Sequence, residues 1–339
     1  MKLEPWLLEV WYGRSRSGWW LAPLGKLTHA VSTLRRWLYI HGWLPSTAVA
    51  VPVMVVGNIT AGGTGKTPLV IWLVDQLAAA GLRVGVLTRG YRGTSDHWPV
   101  SVTRDTDPRL AGDEAVLIAG RTDAVVVAGP DRVAGARQLV DSGVQVIVCD
   151  DGLQHYRLRR DAEVAVIDAE RGLGNGRFIP AGPLRESPAR FASVTATVVN
   201  GGDGAPKEWM DAQPMQVTGD KIVALRGSHV RPLSGLAGQR VHAVAGIGNP
   251  ERFFALLESS RIQIIRHVFP DHASYSATDL QFGDQLPVLM TEKDAVKCVA
   301  FATELMWSVP VDAAFTDSAA AGLCGQIAAA TGLKIGQTY

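Results

Sequence analysis

The residues best suited to chemistry are gathered in Thr60-Ala61-Gly62-Gly63-Thr64-Gly65-Lys66-Thr67. They follow the apolar run Val53 to Val56 and open a segment of helical period that stops at Gly81. Glycines let backbone N–H groups approach a polyphosphate, and a helix N-terminus adds partial positive charge. In such a cradle Lys66 reaches the β- and γ-phosphates of a nucleotide, and the Thr67 hydroxyl ligates Mg²⁺. Pro68 suits the first helical turn, where its missing N–H costs nothing. The strict pattern G-x-x-x-x-G-K-[ST] asks for glycine where this chain has Thr60, so the loop is a variant. An ordinary glycine-rich strand-to-helix turn is the plainer alternative.

A second group, Asp150-Asp151-Gly152-Leu153-Gln154-His155, follows the apolar run VQVIVC. A carboxylate directly after a buried strand is where P-loop enzymes hold Mg²⁺ or its water shell. Two adjacent aspartates also call for a metal or for basic partners. Other stretches decide less when taken alone. Thr88-Arg89-Gly90-Tyr91-Arg92-Gly93 offers two arginines to clamp a phosphate, or is a solvated basic loop. Asp113 and Glu114, after Gly112, either cap a helix or supply a base. The loop from Asn175 to Glu186 carries Arg177, Arg185 and Glu186. Gly246-Ile247-Gly248-Asn249-Pro250 is a phosphate- or base-facing turn, or only a tight connection. His272, in Phe269-Pro270-Asp271-His272, is either a surface histidine or a proton-handling one. Thr291-Glu292-Lys293-Asp294 caps a helix and makes Lys293 a candidate nucleotide contact.

The elements that must position these residues alternate. Strands are expected near 51–56, 83–88, 124–128, 144–149, 163–167 and 194–199, with helices at 67–80, 112–119 and 131–142. This alternation predicts a P-loop NTPase-like, mostly parallel sheet with helices on both faces and ligands at the carboxyl ends of the strands. The stretch 201–214 (GGDGAPKEWMDAQP) reads as a linker. Beyond it a second, smaller α/β pattern is expected. It has a hairpin of 215–218 with 222–225, strands at 241–247, 262–268 and 287–290, and helices at 250–259, 292–300 and 318–330. The division is therefore 1–48 as an N-terminal helical segment, 49–205 as the P-loop domain and 206–339 as the second domain, whose last helix is free to return to the first.

Residues 1–48 hold six of the ten tryptophans: Trp6, Trp11, Trp19, Trp20, Trp37 and Trp43. Lys2, Arg14, Arg16, Lys26, Arg35 and Arg36 face only Glu4 and Glu9 there. Tryptophan prefers the membrane–water boundary, and basic side chains are drawn to anionic lipid, which suggests an interfacial amphipathic segment. A helical extension packed on the main domain is the alternative. The 339 residues allow one large or two ordinary domains, and 47% hydrophobic with 19% charged residues describes a folded protein. A net charge of +1 argues against a bulk nucleic-acid binder, and no obligate protein partner is evident. Cys149, Cys298 and Cys324 form no C-x-x-C pair, which fits a reducing cytoplasm. No signal peptide and no eighteen-residue apolar run are visible.

Together these motifs resemble the tetraacyldisaccharide 4′-kinase family, the lipid A 4′-kinases of Gram-negative bacteria. The likeness covers nearly the whole chain: VVGNITAGGTGKTP (55–68), TRGYRG (88–93), GDE (112–114), DDGLQH (150–155), RFIPAGPLRE (177–186), AGIGNPERFF (245–254), FPDH (269–272) and TEKDAVK (291–297). The variant loop lacking the first glycine is that family's form. Family members often have a second histidine where this chain has Ala273, and glycine is more usual than Arg92. The resemblance implies transfer of the γ-phosphate of ATP to the 4′-hydroxyl of a tetraacylated glucosamine disaccharide 1-phosphate. It places the enzyme peripherally at the cytoplasmic face of the bacterial inner membrane. It also implies that Asp113 is the general base, paired with His272, and that Lys66 stabilises the transferring phosphoryl group. Thr67, Asp150 and Asp151 serve Mg²⁺, while Arg89, Gln154, His155, Arg185 and Glu186 lie near phosphates or metal. Two other classes compete. A nucleotide-switch protein that reads guanine would carry Asn-Lys-x-Asp, and TEKD lacks the asparagine. A kinase for a soluble metabolite would leave the tryptophans purely structural.

Overall fold

The structure is a computed structural model that describes residues 3–13, 17–201, 209, 211–227 and 229–335. Most of the expected linker 201–214, and Lys2, Arg14 and Arg16 of the N-terminal basic set, lie outside the described residues.

Two helices come first, α1 (Leu3–Tyr12) and α2 (Ala22–Ile40). The P-loop half then runs β1 (Val53–Gly57), α3 (Lys66–Ala79), β2 (Val84–Thr88), β3 (Val100–Val102), α4 (Pro108–Ala111), α5 (Asp113–Arg121), β4 (Val125–Ala128), α6 (Arg132–Asp141), β5 (Val146–Asp150), β6 (Ala162–Asp168) and β7 (Ala196–Asn200). The remainder runs β8 (Gln213–Thr218), β9 (Lys221–Ala224), β10 (Val230–Pro232), β11 (Arg240–Ala245), α7 (Pro250–Ser259), β12 (Gln263–Val268), β13 (Val288–Thr291), α8 (Glu292–Cys298), β14 (Met306–Val309), β15 (Asp312–Ala314) and α9 (Asp317–Thr331).

The first sheet has the order β15-β8-β7-β6-β1-β5-β2-β4-β3 and is parallel except at its two edges, where β3 and β15 run antiparallel. Its interior strands are continuous apolar runs because both faces are covered. Met54 and Val56 point to a core shared with α3, α5 and α9. Val53 and Val55 point the other way, onto α6. This is the expected fold class. The second sheet, β10-β9-β14-β13-β11-β12, is parallel through β11 to β14 and is likewise sandwiched, with Phe254 and Leu257 of α7 on one face and Ala295 and Cys298 of α8 on the other.

One pairing departs from expectation. Residues 215–218 do not form a hairpin with 222–225: β8 pairs with β7 and β15 in the first sheet, while β9 pairs with β10 and β14 in the second. The two-residue break at Gly219-Asp220 passes the chain from one sheet to the other. The chain returns over β15, and α9 lays Leu323, Cys324 and Ile327 on the first core. Ile327 is fully buried there. Ile327→Ala is therefore expected to lower stability by about 2–5 kcal/mol in urea unfolding; an unchanged transition would mean that α9 contributes nothing to that core.

Candidate active site

Carboxyl ends of both sheets supply one cleft of about 1240 Å³. From the first sheet come the turns after β1, β2 and β5; from the second come those after β11, β12 and β13. Ligands of parallel sheets bind at these ends, because the loops there are free to diverge around them.

The phosphate loop follows from local chemistry. Its strand side is pinned by the Ala61 N–H donating to the Pro183 carbonyl at 2.8 Å and the Arg185 N–H donating to the Ile59 carbonyl at 2.7 Å. Gly65 caps α3 with φ of +90°, a conformation that L side chains rarely adopt, and an added Cβ would collide with the Asn200 side chain. Asn200, at the end of β7, donates from Nδ2 to the Thr64 carbonyl at 2.9 Å. Lys66 is poised at the loop mouth: its Nζ donates to Asn58 Oδ1 at 3.3 Å and lies 3.5 Å from Asp151 Oδ1. Thr60 to Thr67 thus form one contiguous turn, of which Gly62 to Thr67 line the cleft.

Asp150 and Asp151 adjoin but differ. Burial, reinforced by Glu114 and Asp151 against the pull of Lys66 and Arg132, pushes the Asp150 carboxyl up to about 7. Its Oδ1 is buried without a hydrogen-bond partner. Burial acts on Asp151 in the same direction, but Lys66 and Arg185 outweigh it and hold that carboxyl below the usual carboxylate range. Arg185 donates from Nη1 to both Asp151 oxygens at 3.1 Å. His155 also lines the cleft, and burial together with Arg132 and Arg89 pushes its imidazole down to about 4, so it is neutral at physiological pH. Arg89 and Gln154 line the cleft as well. Glu186 does not: it is 6% exposed and its carboxylate is spent on Gln154 (2.7 Å), Tyr156 (2.7 Å) and Arg190 (3.2 Å).

The second cluster is built across the two sheets. Gly112 (φ +89°) turns the chain so that Asp113 opens α5, only 6% exposed. His272, in the turn after β12, places its Nδ1 2.9 Å from Asp113 Oδ2 and 3.0 Å from Oδ1. Burial would raise Asp113, but the His272 hydrogen bond with the Lys293 and Lys297 charges holds its carboxyl below the usual range. Lys293 lines the cleft, and its Nζ meets Glu114 Oε1 at 3.1 Å, Asp271 Oδ1 at 3.1 Å and His272 Nε2 at 3.0 Å. Arg92 donates to the Asp271 and His272 carbonyls at 3.1 and 3.0 Å, fixing the turn.

Several contributors escaped the sequence reading. Asp168 ends β6 and lies 3.2 Å from Arg252 of α7, which also donates to the Asn200 carbonyl at 3.0 Å. Arg171 donates to the Gly248 carbonyl at 2.9 Å. The usable signal was position: Asp168 and Asn200 are the polar residues that terminate apolar strands.

Among the described residues no cluster of three or more His, Cys, Asp or Glu is placed to hold a metal by protein ligands alone. Mg²⁺ keeps several waters and substrate oxygens in its shell and needs only one or two protein oxygens. Thr67, the orphaned Asp150 oxygen and the charged Asp151 are a donor set such an ion accepts.

A parallel sheet with a glycine turn leading into Lys-Thr and acidic residues ending the neighbouring strand define a P-loop phosphotransferase. The family model for tetraacyldisaccharide-1-P 4′-kinase matches residues 17–328, and the chain belongs to that family. It is 51% identical over 301 residues to the tetraacyldisaccharide 4′-kinase of Xanthomonas campestris pv. campestris strain 8004, covering 84% of this chain and 85% of that one. With its counterpart in Stenotrophomonas maltophilia strain R551-3 identity is 49% over 308 residues, covering 89% and 91%. Among solved structures, LpxK from Aquifex aeolicus in complex with ATP superposes with a TM-score of 0.75 at 27% identity, covering 93% of this chain and 99% of that one. The chain is thus a kinase of the lipid A pathway.

Gly65→Ala forces a left-handed alanine against Asn200, at about 1–2 kcal/mol for the conformation alone. It is expected to weaken ATP binding about tenfold in calorimetry and to lower unfolding stability by at least about 1–2 kcal/mol; unaltered affinity in the folded variant would release the loop from that conformation.

Proposed function

We propose that Asp113 accepts the proton of a sugar 4′-hydroxyl as that oxygen attacks the γ-phosphate of ATP, the acceptor being a tetraacylated glucosamine disaccharide 1-phosphate. The observation that carries this reading is the Asp113–His272 pair, which opens onto the same cleft as the phosphate loop. ATP as donor is supported by the Aquifex aeolicus relative, whose structure is an ATP complex. Positioning and charge neutralisation supply most of the rate in phosphoryl transfer. Lys66 and the backbone N–H groups of Gly62 to Gly65 hold the phosphates; Arg89 and Arg185 add charge at the cleft wall. Thr67 and Asp150, with Asp151 close by, would hold Mg²⁺, which would supply further neutralisation of phosphate charge. Asp113 is a weak base because its neighbours stabilise its charged form, which suits a transition state in which bond formation to the nucleophile lags. We further propose that 49–205 acts as the nucleotide-holding domain and 206–339 as the domain that brings His272, with α9 anchored on the former.

The same proposal extends to a membrane surface. One side of α2 docks on the body: Gly25 is buried, and a Cβ there would sit 2.8 Å from the Phe178 carbonyl. On that side His29 stacks on Phe178 at 4.0 Å and Arg36 donates to Ser193 Oγ at 3.0 Å. Leu24, Leu27, Val31 and Leu34 project from the opposite side and are 50–59% exposed. Trp19, Trp20, Trp37 and Trp43 are exposed too, whereas Trp11 donates to the Pro180 carbonyl at 2.9 Å. A helix with its apolar stripe turned outward and Lys26 and Arg35 exposed beside it has the chemistry of an interfacial anchor. No helix among the described residues is long and apolar enough to cross a membrane. We place the enzyme peripherally on the cytoplasmic face of the bacterial inner membrane.

Purified protein is expected to consume ATP only when a detergent-dispersed tetraacyl disaccharide 1-phosphate is added, with one phosphate gained by mass. Asp113→Ala and His272→Ala should each lower kcat by about 10²-fold or more with ATP affinity retained. Lipid-independent turnover would overturn the substrate, and normal turnover in either variant would remove that residue from the chemistry.

For the membrane, replacing Leu27, Val31 and Leu34 together by serine should weaken sedimentation with anionic vesicles at least tenfold while sparing ATP binding. Undiminished sedimentation would mean that α2 does not face lipid.

A further inference from the structure

The dyad has a third member whose role follows from counting hydrogens. Lys293 Nζ has three neighbours within 3.1 Å: Glu114 Oε1, Asp271 Oδ1 and His272 Nε2. An ammonium has three donors and no acceptor. Its three hydrogens therefore match its three neighbours, and His272 Nε2 must be the accepting nitrogen. The single proton of the neutral ring then sits on Nδ1, where both Asp113 oxygens lie within 3.0 Å. We propose that Lys293 is a positioning residue that selects the Nδ1–H tautomer of His272, so that the ring donates to Asp113 and Asp113 stores the proton taken from the acceptor hydroxyl.

The surrounding charges make this a necessary device. Asp113 of α5 faces Nδ1 and Asp271, in the turn after β12, lies 3.7 Å from Nε2, so each ring nitrogen has a carboxylate that would take its hydrogen; the Arg92 guanidinium donates to the His272 carbonyl at 3.0 Å. Tyr91 presses on the ring at a centroid distance of 4.8 Å and brings no charge. On α8, Lys297 lies 3.7 Å from Asp113 and is itself drawn to Asp294 at 2.9 Å. Without Lys293 nothing holds the ring hydrogen on Nδ1, and Nε2 is free to carry it toward Asp271 instead. Burial works against the Lys293 ammonium, but Glu114, Asp271 and Asp113 outweigh it and hold Lys293 above the ordinary lysine range, so the donor is permanent at working pH. An Nδ1–H orients the Asp113 carboxylate, whereas an Nε2–H tautomer would leave Asp113 without that donor.

The inference rests on Asp113 and His272 being the reacting pair, but its test reads the ring directly. In ¹⁵N-labelled wild-type protein, the His272 nitrogens should show the Nδ1–H tautomer. Lys293→Met should move the ring hydrogen to Nε2 and lower kcat about a hundredfold with KM for ATP unchanged. Lys293→Arg should restore the Nδ1–H tautomer. An Nε2–H tautomer in the wild type would overturn the proposal without recourse to any variant. An unchanged ring in a folded Lys293→Met protein would do the same. Failure of the dyad itself would show separately, as normal turnover in Asp113→Ala.

Discussion

Asp113 and His272 are 159 residues apart in the chain and share their hydrogen bonds across the seam between two sheets. That contact constrains much of what surrounds it. It exists only if the carboxyl ends of both parallel sheets meet at one cleft, and only if α5 and α8 hold a fixed register. The register has its own clamp: Arg121, in the last turn of α5, donates to both Glu292 oxygens at 2.6 and 2.7 Å and to Asp312. Glu292 is the residue before Lys293, so the ion pair fixes the end of α8 that carries Lys293 against α5, whose other end carries Asp113. A half-buried pair of this kind contributes modestly to stability. Its larger effect is geometric, since a displacement of about an ångström at a base is costly to rate.

A second constraint is electrostatic. Asp150 and Asp151 cannot both be comfortable as bare anions beside one another, and the structure resolves this by environment. Asp151 turns to Lys66 and Arg185 and remains charged, while Asp150 is sealed in with an unpaired oxygen and is driven toward its protonated form. A buried acceptor without a partner is unfavourable in an empty protein and favourable where a cation arrives. The two neighbours therefore differ: Asp151 is held by Lys66 and Arg185, while Asp150 keeps an oxygen without a partner inside the fold.

Much of this was legible from residue order. β1, β2, β4, β5, β6 and β7 are apolar runs long enough to read, and the motifs fall at their ends. The misses share a physical cause. β3 and β15 are three residues long and sit at the two edges of the first sheet, where pairing is decided by neighbours rather than by their own pattern. β8 shows the same thing: beside β9 it looks like half of a hairpin, and only the β7 and β15 edges reveal its true partners. Glu186 looked like a site residue because its loop is, yet its carboxylate is consumed within the fold by Gln154, Tyr156 and Arg190. Lys293, a candidate nucleotide contact by its place near the start of α8, does line the cleft, but its partners there come from α5 and the turn after β12, elements brought together only by tertiary structure.

The N-terminal helices show how a lipid substrate and a phosphate loop are joined in one frame. α1 is not a loose appendage: the Tyr12 hydroxyl donates to the Ala61 carbonyl of the phosphate loop at 2.7 Å, and Asn175 Nδ2 donates to the Val10 carbonyl at 3.0 Å. Arg171 lies over the Tyr12 ring at 5.0 Å while bonding Gly248 of the second sheet's turn. α2, meanwhile, rests on Phe178 and Ala181 in the loop that leads to Arg185. An apolar face turned outward on α2 therefore sits a few rigid contacts from both the phosphate loop and the carboxylate-pairing arginine. If that face lies in a membrane, the cleft is held at a fixed height and tilt above the lipid. Acyl chains can then remain in the bilayer while the sugar reaches Asp113, and the enzyme has no need to extract its substrate from the membrane, which for several acyl chains at about 0.8 kcal/mol per methylene would be the dominant cost.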